Sequence, residues 1–172
     1  RIEKPCAGAY GIVTLHRPSN VDTREKLSQL VDMLLSVSSC AKLVCPIHPR
    51  TRAKLIEFSL MGRLQGSSGI DLCDPVGYVE FMGWVSGSSF VLTDSGGLQE
   101  ETTYLGIPCF TLRSNTERPI TITEGTNILV TVDTAAGFVE DCIKGNAKQG
   151  KVPHLWDGAA ATRIVEALEK YS

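Results

Sequence analysis

Short apolar, β-branched runs alternate with helix-patterned stretches along the whole chain, and that alternation leaves few folds open. Residues 11–16, 41–48, 70–73, 90–93, 108–112 and 127–132 read as strands, each bounded by turn-forming residues. Between the first two, Leu27, Leu30, Val31, Leu34 and Leu35 recur at the i, i+3, i+4, i+7, i+8 spacing of one helix face. Asp22 followed by Glu25 suits the start of that helix. Further helices are predicted over 50–58, 78–85, 98–105, 135–144 and 159–170, with Ile164, Val165 and Leu168 facing the core in the last. Residues 145–158 are polar and glycine-containing and read as a surface loop. Strand–helix alternation with short connections implies βαβ units, hence an α/β fold: a Rossmann-like parallel sheet with helices on both faces.

In such a sheet, ligands bind beyond the carboxyl ends of the strands. The residues that carry chemistry gather there. His16 and Arg17 end the first run, His48, Pro49 and Arg50 the second, Asp94 to Gly97 follow the fourth, and Arg113 follows the fifth. Thr93-Asp94-Ser95-Gly96-Gly97 joins a buried strand to a helix whose first N–H groups lack partners and whose dipole is positive at that end. Such a turn suits an anion, most often a phosphate. The two glycines can take positive φ and admit a ligand close to the backbone. A plainer reading has Asp94 or Ser95 as an N-cap.

His16, Arg17, His48, Arg50, Arg113 and Arg118 make this rim electropositive, and arginine's planar fork matches phosphate oxygens. A phosphate ester is the expected ligand, and a nucleotide fits a domain of this type. Singly, His16 could cap a strand end, and His48-Pro49-Arg50 could be a strand–helix junction with Pro49 at a first helical position, the reading preferred for Arg50. Phe81 and Trp84 are more often core residues than base-stacking platforms. Glu101 is read as an acceptor for ribose hydroxyls rather than an acid or base.

Net charge of −2 and the lack of a Lys/Arg-rich block argue against nucleic-acid binding, and no apolar run approaches the roughly 20 residues of a membrane span. Six scattered cysteines without a CxxC pair suggest reduced thiols and a cytoplasmic location rather than a zinc site or a disulfide frame. No cofactor or metal is expected. The chain opens on Arg1 and its first methionine is Met33, which suggests a piece of a longer protein.

Four segments in order carry a closer likeness: Thr14-Leu15-His16-Arg17-Pro18-Ser19-Asn20-Val21, Pro46-Ile47-His48-Pro49-Arg50-Thr51, Leu92 to Glu101 with its Asp-Ser-Gly-Gly and Gln-Glu-Glu, and Thr116-Glu117-Arg118-Pro119. With Gly106-Ile107-Pro108, Glu124-Gly125-Thr126-Asn127 and Asp157-Gly158-Ala159-Ala160, they resemble the non-hydrolysing UDP-N-acetylglucosamine 2-epimerases over essentially the whole chain. The resemblance implies the C-terminal half of a GT-B architecture, one UDP-binding domain over residues 1–172 whose N-terminal companion is absent. It implies Ser95 and Gly96 on the diphosphate with Gly97 also in the UDP site, Glu101 on the ribose, Phe81 by the uracil and Arg113 and Arg118 neutralising phosphate charge. His16 would stand at the substrate as the catalytic residue, and Arg17 and His48 would be among the residues that bind the UDP-sugar. The implied reaction interconverts UDP-GlcNAc and UDP-ManNAc by elimination and re-addition of UDP, in a cytoplasmic homodimer serving polysaccharide synthesis. Many relatives read His-Arg-Arg-Glu where this chain has His16-Arg17-Pro18-Ser19, a departure that bears on sugar specificity.

Overall fold

The computed structural model describes residues 4–170. Six strands form one fully parallel sheet: β1 (Gly11–Thr14), β2 (Leu43–Pro46), β3 (Ile70–Cys73), β4 (Phe90–Thr93), β5 (Cys109–Leu112) and β6 (Asn127–Val130). Their order is β3-β2-β1-β4-β5-β6, so chain direction across the sheet reverses between β1 and β4. That reversal opens a crevice at the carboxyl ends of these two neighbours. The β1 and β6 runs are shorter than their apolar stretches because the last residues leave the ladder for the rim, and β2 is trimmed at both ends.

Side-chain alternation divides the core. Val13, Leu43, Cys45, Phe90 and Leu92 point to the face covered by α2 (Arg24–Ser38), α3 (Pro49–Glu57), α4 (Met61–Gln65) and α8 (Ala135–Asp141). Ile12, Val44 and Val91 point to the other face, against Trp84 and Val85 of α5 (Tyr78–Ser86) and Leu98 of α6 (Gly96–Leu105). The α2 stripe is buried as expected at Leu27, Leu30, Val31 and Leu34, while Leu35 is only half-buried and Met33 and Val37 complete the inner face. Each such side chain contributes roughly 1.5–3 kcal/mol by leaving water. The cap of α2 is Thr23, whose hydroxyl accepts the Lys26 N–H, while Asp22 is drawn away by Arg50. Two short helices, α1 (Pro18–Val21) and α7 (Pro119–Thr123), lie in rim loops and carry too few residues to show a period.

The terminal helix α9 (Ala160–Glu169) corrects an expectation. Ile164, Val165 and Leu168 are 59%, 53% and 64% exposed, and none of its described residues is buried. An apolar stripe marks a face suited to cover; it does not say that the cover lies within the same domain. The helix expected over 135–144 ends its α-helical part at Asp141 and widens into a π turn over Cys142–Asn146, with Gly145 at φ 89°.

Gly11 has a packing reason to be glycine. It pairs with Phe90 across the β1–β4 ladder, and a Cβ at that position would fall inside the fully buried Phe90 ring. Gly11→Ala is therefore expected to destabilise the fold by about 2 kcal/mol through overpacking. Urea unfolding measures this, and Phe90→Leu in the same chain should recover part of the loss.

Candidate anion and nucleotide site

The β1–β4 crevice is built around one carboxylate. Asp94 follows β4 and is completely buried. Its oxygens accept the main-chain N–H of His16 at 3.0 Å, that of Arg17 at 2.9 Å and the Asn20 amide at 2.9 Å. His16 Nδ1 lies 3.1 Å from the same carboxylate. The main chain of Asp94 faces the same segment: its N–H reaches the Thr14 carbonyl at 3.2 Å, and its carbonyl accepts Arg17 Nε at 2.7 Å. Burial is the largest influence on Asp94 and opposes ionisation. The donors from His16, Arg17 and Asn20 together outweigh it and hold the carboxyl below its ordinary range. In turn the hydrogen bond to Asp94 raises the His16 imidazole above its ordinary value, against partial burial and the nearby Arg17 charge.

The α6 helix begins at Gly96, two residues after Asp94. Ser95 occupies the N-cap position, as one of the two capping alternatives has it, but its hydroxyl makes no capping bond. The first N–H groups of a helix have no partners within it, so this end offers donors and a positive dipole together. Gly96 and Gly97 lie inside the helix without positive φ, contrary to the backbone role expected of them. A Cβ on Gly97 would meet nothing within 4 Å, and one on Gly96 would meet Arg113 Nη1 alone, at 3.9 Å, so the space over both is open.

That guanidinium is unusual. The Arg113 side chain is 10% exposed, its Nη2 reaches the exposed Glu117 at 3.2 Å, and its buried Nη1 has no hydrogen-bond partner. A buried, partly unsatisfied cation is costly unless an anion completes it. A cleft of about 480 Å³ opens beside it, bordered by Arg17, Asn20, Lys26, Gln29 and Ser114.

The remaining rim residues divide. The His16 and His48 rings stand 5.2 Å apart, and His48 Nδ1 also accepts the Arg50 N–H, capping α3 with Pro49 at the first helical position. Arg50 turns to Asp22, so the plain junction reading holds for it. Arg118 pairs with Glu100 at 3.1 Å, and Glu101 accepts the Tyr78 hydroxyl at 2.9 Å. Beside Glu101 an apolar groove of about 400 Å³ runs between α5 and α6, lined by Tyr78, Met82, Tyr104 and Trp156. Phe81 belongs to the half-buried fringe of the α5-side core, and Trp84 is buried there.

Two parts of the site escape sequence reasoning. One is the Asp94 carboxylate as anchor rather than cap. The other is a buried amide hub: Gln99 donates to the Ser95 carbonyl at 3.0 Å and accepts from Thr116 at 2.6 Å and Asn127 at 3.0 Å. It thus ties the start of α6 to the loop carrying Arg113 and Arg118. The polar Gln and Asn inside strand–helix segments were the available signal.

Cys45 and Cys109 are buried in their strands, and desolvation pushes both thiols up, Cys109 to about 11, so neither is a nucleophile at neutral pH. Among the described residues, no group of three or more His, Cys, Asp and Glu could hold a metal ion, and no helix is long and apolar enough to cross a membrane.

The family model for UDP-N-acetylglucosamine 2-epimerase matches residues 2–169. The UDP-N-acetylglucosamine 2-epimerase of Methanocaldococcus jannaschii is 44% identical over 161 residues, which is 92% of this chain and 44% of that protein. The enzyme of the same name from Methanococcus maripaludis is 44% identical over 80% of this chain and 38% of its own length. A crystal structure of the Methanocaldococcus jannaschii enzyme, in complex with UDP-GlcNAc and UDP, superposes with a TM-score of 0.80 at 38% identity, covering 94% of this chain and 45% of that one. The chain thus spans about half the length of these relatives. With a parallel sheet, a reversal-point crevice and a family match over nearly every residue, the chain belongs to the UDP-N-acetylglucosamine 2-epimerase family.

Proposed function

We propose that this chain is the UDP-binding, C-terminal half of an epimerase that interconverts UDP-GlcNAc and UDP-ManNAc by elimination and re-addition of UDP. The observation that carries the reading is Arg113 Nη1, buried and unpartnered beside the open N-terminus of α6. A diphosphate seated there would satisfy the guanidinium, the free helix N–H groups and the Ser95 hydroxyl together. Arg118 would reach the same phosphates by giving up its exposed pair with Glu100. Glu101 would exchange the Tyr78 hydroxyl for those of the ribose, and the uracil would lie toward Phe81.

The sugar then projects toward His16, with Arg17 and His48 on its flanks. Departure of UDP places charge on the diphosphate, and cations fixed before the reaction stabilise it without reorganisation. Removal of the C2 proton and its return on the opposite face need an acid and a base. His16 is one exchanging group on this side. The other carboxylates belong to an N-terminal Rossmann-like half that closes the cleft, in a cytoplasmic homodimer acting in surface-polysaccharide synthesis. Pro18-Ser19, in place of the Arg-Glu of many relatives, removes a cation and a carboxylate from the cleft rim and makes the sugar the least constrained part of the ligand.

Product analysis tests this reading. The full-length protein is expected to yield a C2 epimer from UDP-GlcNAc, whereas this chain by itself is expected to turn over at least about a thousandfold more slowly, because half of the groups that orient the sugar and exclude water are missing. A sugar transferred to an acceptor, with no epimer, would instead identify a glycosyltransferase of the same architecture.

A further inference from the structure

We propose that Asp94 is the positioning residue for His16, fixing its ring tautomer through Nδ1 and presenting Nε2 to the cleft as the atom that exchanges a proton with the ligand. The proposal rests on the reading above for the ligand, but its geometry stands apart from it. The Asp94 carboxylate is fully buried and lies 3.1 Å from His16 Nδ1, while the imidazole keeps 38% of its side-chain surface exposed toward the rim. A carboxylate that is ionised can only accept, so the imidazole nitrogen facing it must carry the proton. In the neutral ring that leaves the Nε2 lone pair for a proton from the ligand. Once Nε2 has taken it, the imidazolium still donates Nδ1–H to Asp94, whose charge balances the new cation, and the proton is returned in the reverse step.

The same residue sets where the ring stands. His16 and Arg17 give their main-chain N–H groups to this carboxylate, and Asn20 adds its amide. Because Asp94 directly precedes Ser95, the imidazole is held at fixed reach from the open end of α6. The charged and titratable groups facing His16 are Asp94 from the β4–α6 turn, Arg17 from its own loop, and the His48 ring from the start of α3. Arg17 opposes protonation and Asp94 favours it, with the Asp94 contribution the larger. If the carboxylate served only to pin the main chain, the ring tautomer would be indifferent to it.

Long-range proton–nitrogen NMR spectra of the histidine rings in this chain decide the matter, with His16→Gln assigning the signals. His16 is expected to be Nδ1-protonated when neutral and to titrate above free imidazole. Asp94→Asn should move its midpoint to lower pH. Asn20→Ala, which loosens the clasp but keeps the imidazole–carboxylate bond, should leave that midpoint where it is. An Nε2-protonated neutral ring in the unaltered chain, a midpoint at or below free imidazole, or equal downward shifts from both variants would overturn the proposal. Should Asp94→Asn fail to fold, the unaltered chain and Asn20→Ala still decide. UDP binding on the same samples reports separately on the ligand reading, because the titration needs no ligand.

Discussion

Arg113→Met is expected to lower the affinity for UDP by roughly a hundredfold while changing that for uridine by less than about threefold, since removing one partner of a buried charge pair costs on the order of 2–5 kcal/mol. The selectivity follows from position. Arg113 Nη1 faces Gly96 at the start of α6, where the phosphates would sit, and the groups assigned to the nucleoside lie elsewhere, at Glu101 and Phe81. Stability should move the other way. In the free chain the guanidinium is nearly buried with one nitrogen unpartnered, and its ion pair runs to the exposed Glu117, a type worth about 0–1 kcal/mol. Methionine removes the desolvated charge and keeps much of the volume, so the melting temperature of the ligand-free variant is expected to be equal or higher. Isothermal titration with UDP and with uridine, beside thermal unfolding, checks both signs. A parallel loss for the two ligands, or a large loss of stability, would show that Arg113 supports the fold rather than the anion.

Asp94→Ala is expected to be the most destabilising single change at the rim, by about 3–5 kcal/mol, the range for breaking a buried charged network. It strands the main-chain N–H groups of His16 and Arg17 and the Asn20 amide, all of which end on this carboxylate. The same anchor predicts acid sensitivity with a definite sign. The folded-state pKa of Asp94 is depressed, so its contribution is fully present above the unfolded carboxyl value of 3.8 and disappears as pH falls through the lower folded value. His16 contributes oppositely: its folded pKa is raised above 6.5, so its share is present below that value and fades as pH rises through the folded one. Urea midpoints between about pH 3 and pH 8 should therefore fall at both ends for the unaltered chain, with the acid limb flattened in Asp94→Ala. An unchanged acid limb would place the acid-sensitive group elsewhere.

How far the sequence foretold this molecule depends on the range of the interaction involved. Strands such as Phe90–Thr93 and the stripe of Leu27, Leu30, Val31 and Leu34 were legible because burial imposes a local period. The rim was legible for a related reason: in a parallel sheet every strand ends on one edge, so His16, His48, Asp94 and Arg113 had to share it. Contacts that close across the sheet were not. Asp94 finds its donors 74 to 78 residues away, and no local pattern separates such an anchor from an N-cap. Gln99 and Asn127 likewise meet only once β5 and β6 are paired. The glycines of the turn were read through positive φ, yet both fall inside the first turn of α6 without it, because the helix already begins at Gly96. The α9 stripe shows the reverse limit, a correct amphipathic pattern whose outward placement no periodicity could supply.

Whether the crevice between β1 and β4 holds UDP through its diphosphate is decided by calorimetric titration of this chain with UDP, repeated on Ser95→Ala and Arg118→Ala. Saturable binding is expected, weakened roughly three- to tenfold by each substitution, in keeping with about 0.5–1.5 kcal/mol for a hydrogen bond made at a partly exposed site. Folded variants that bind UDP as tightly as the unaltered chain, or an unaltered chain that binds UDP and uridine equally, would contradict binding through the diphosphate.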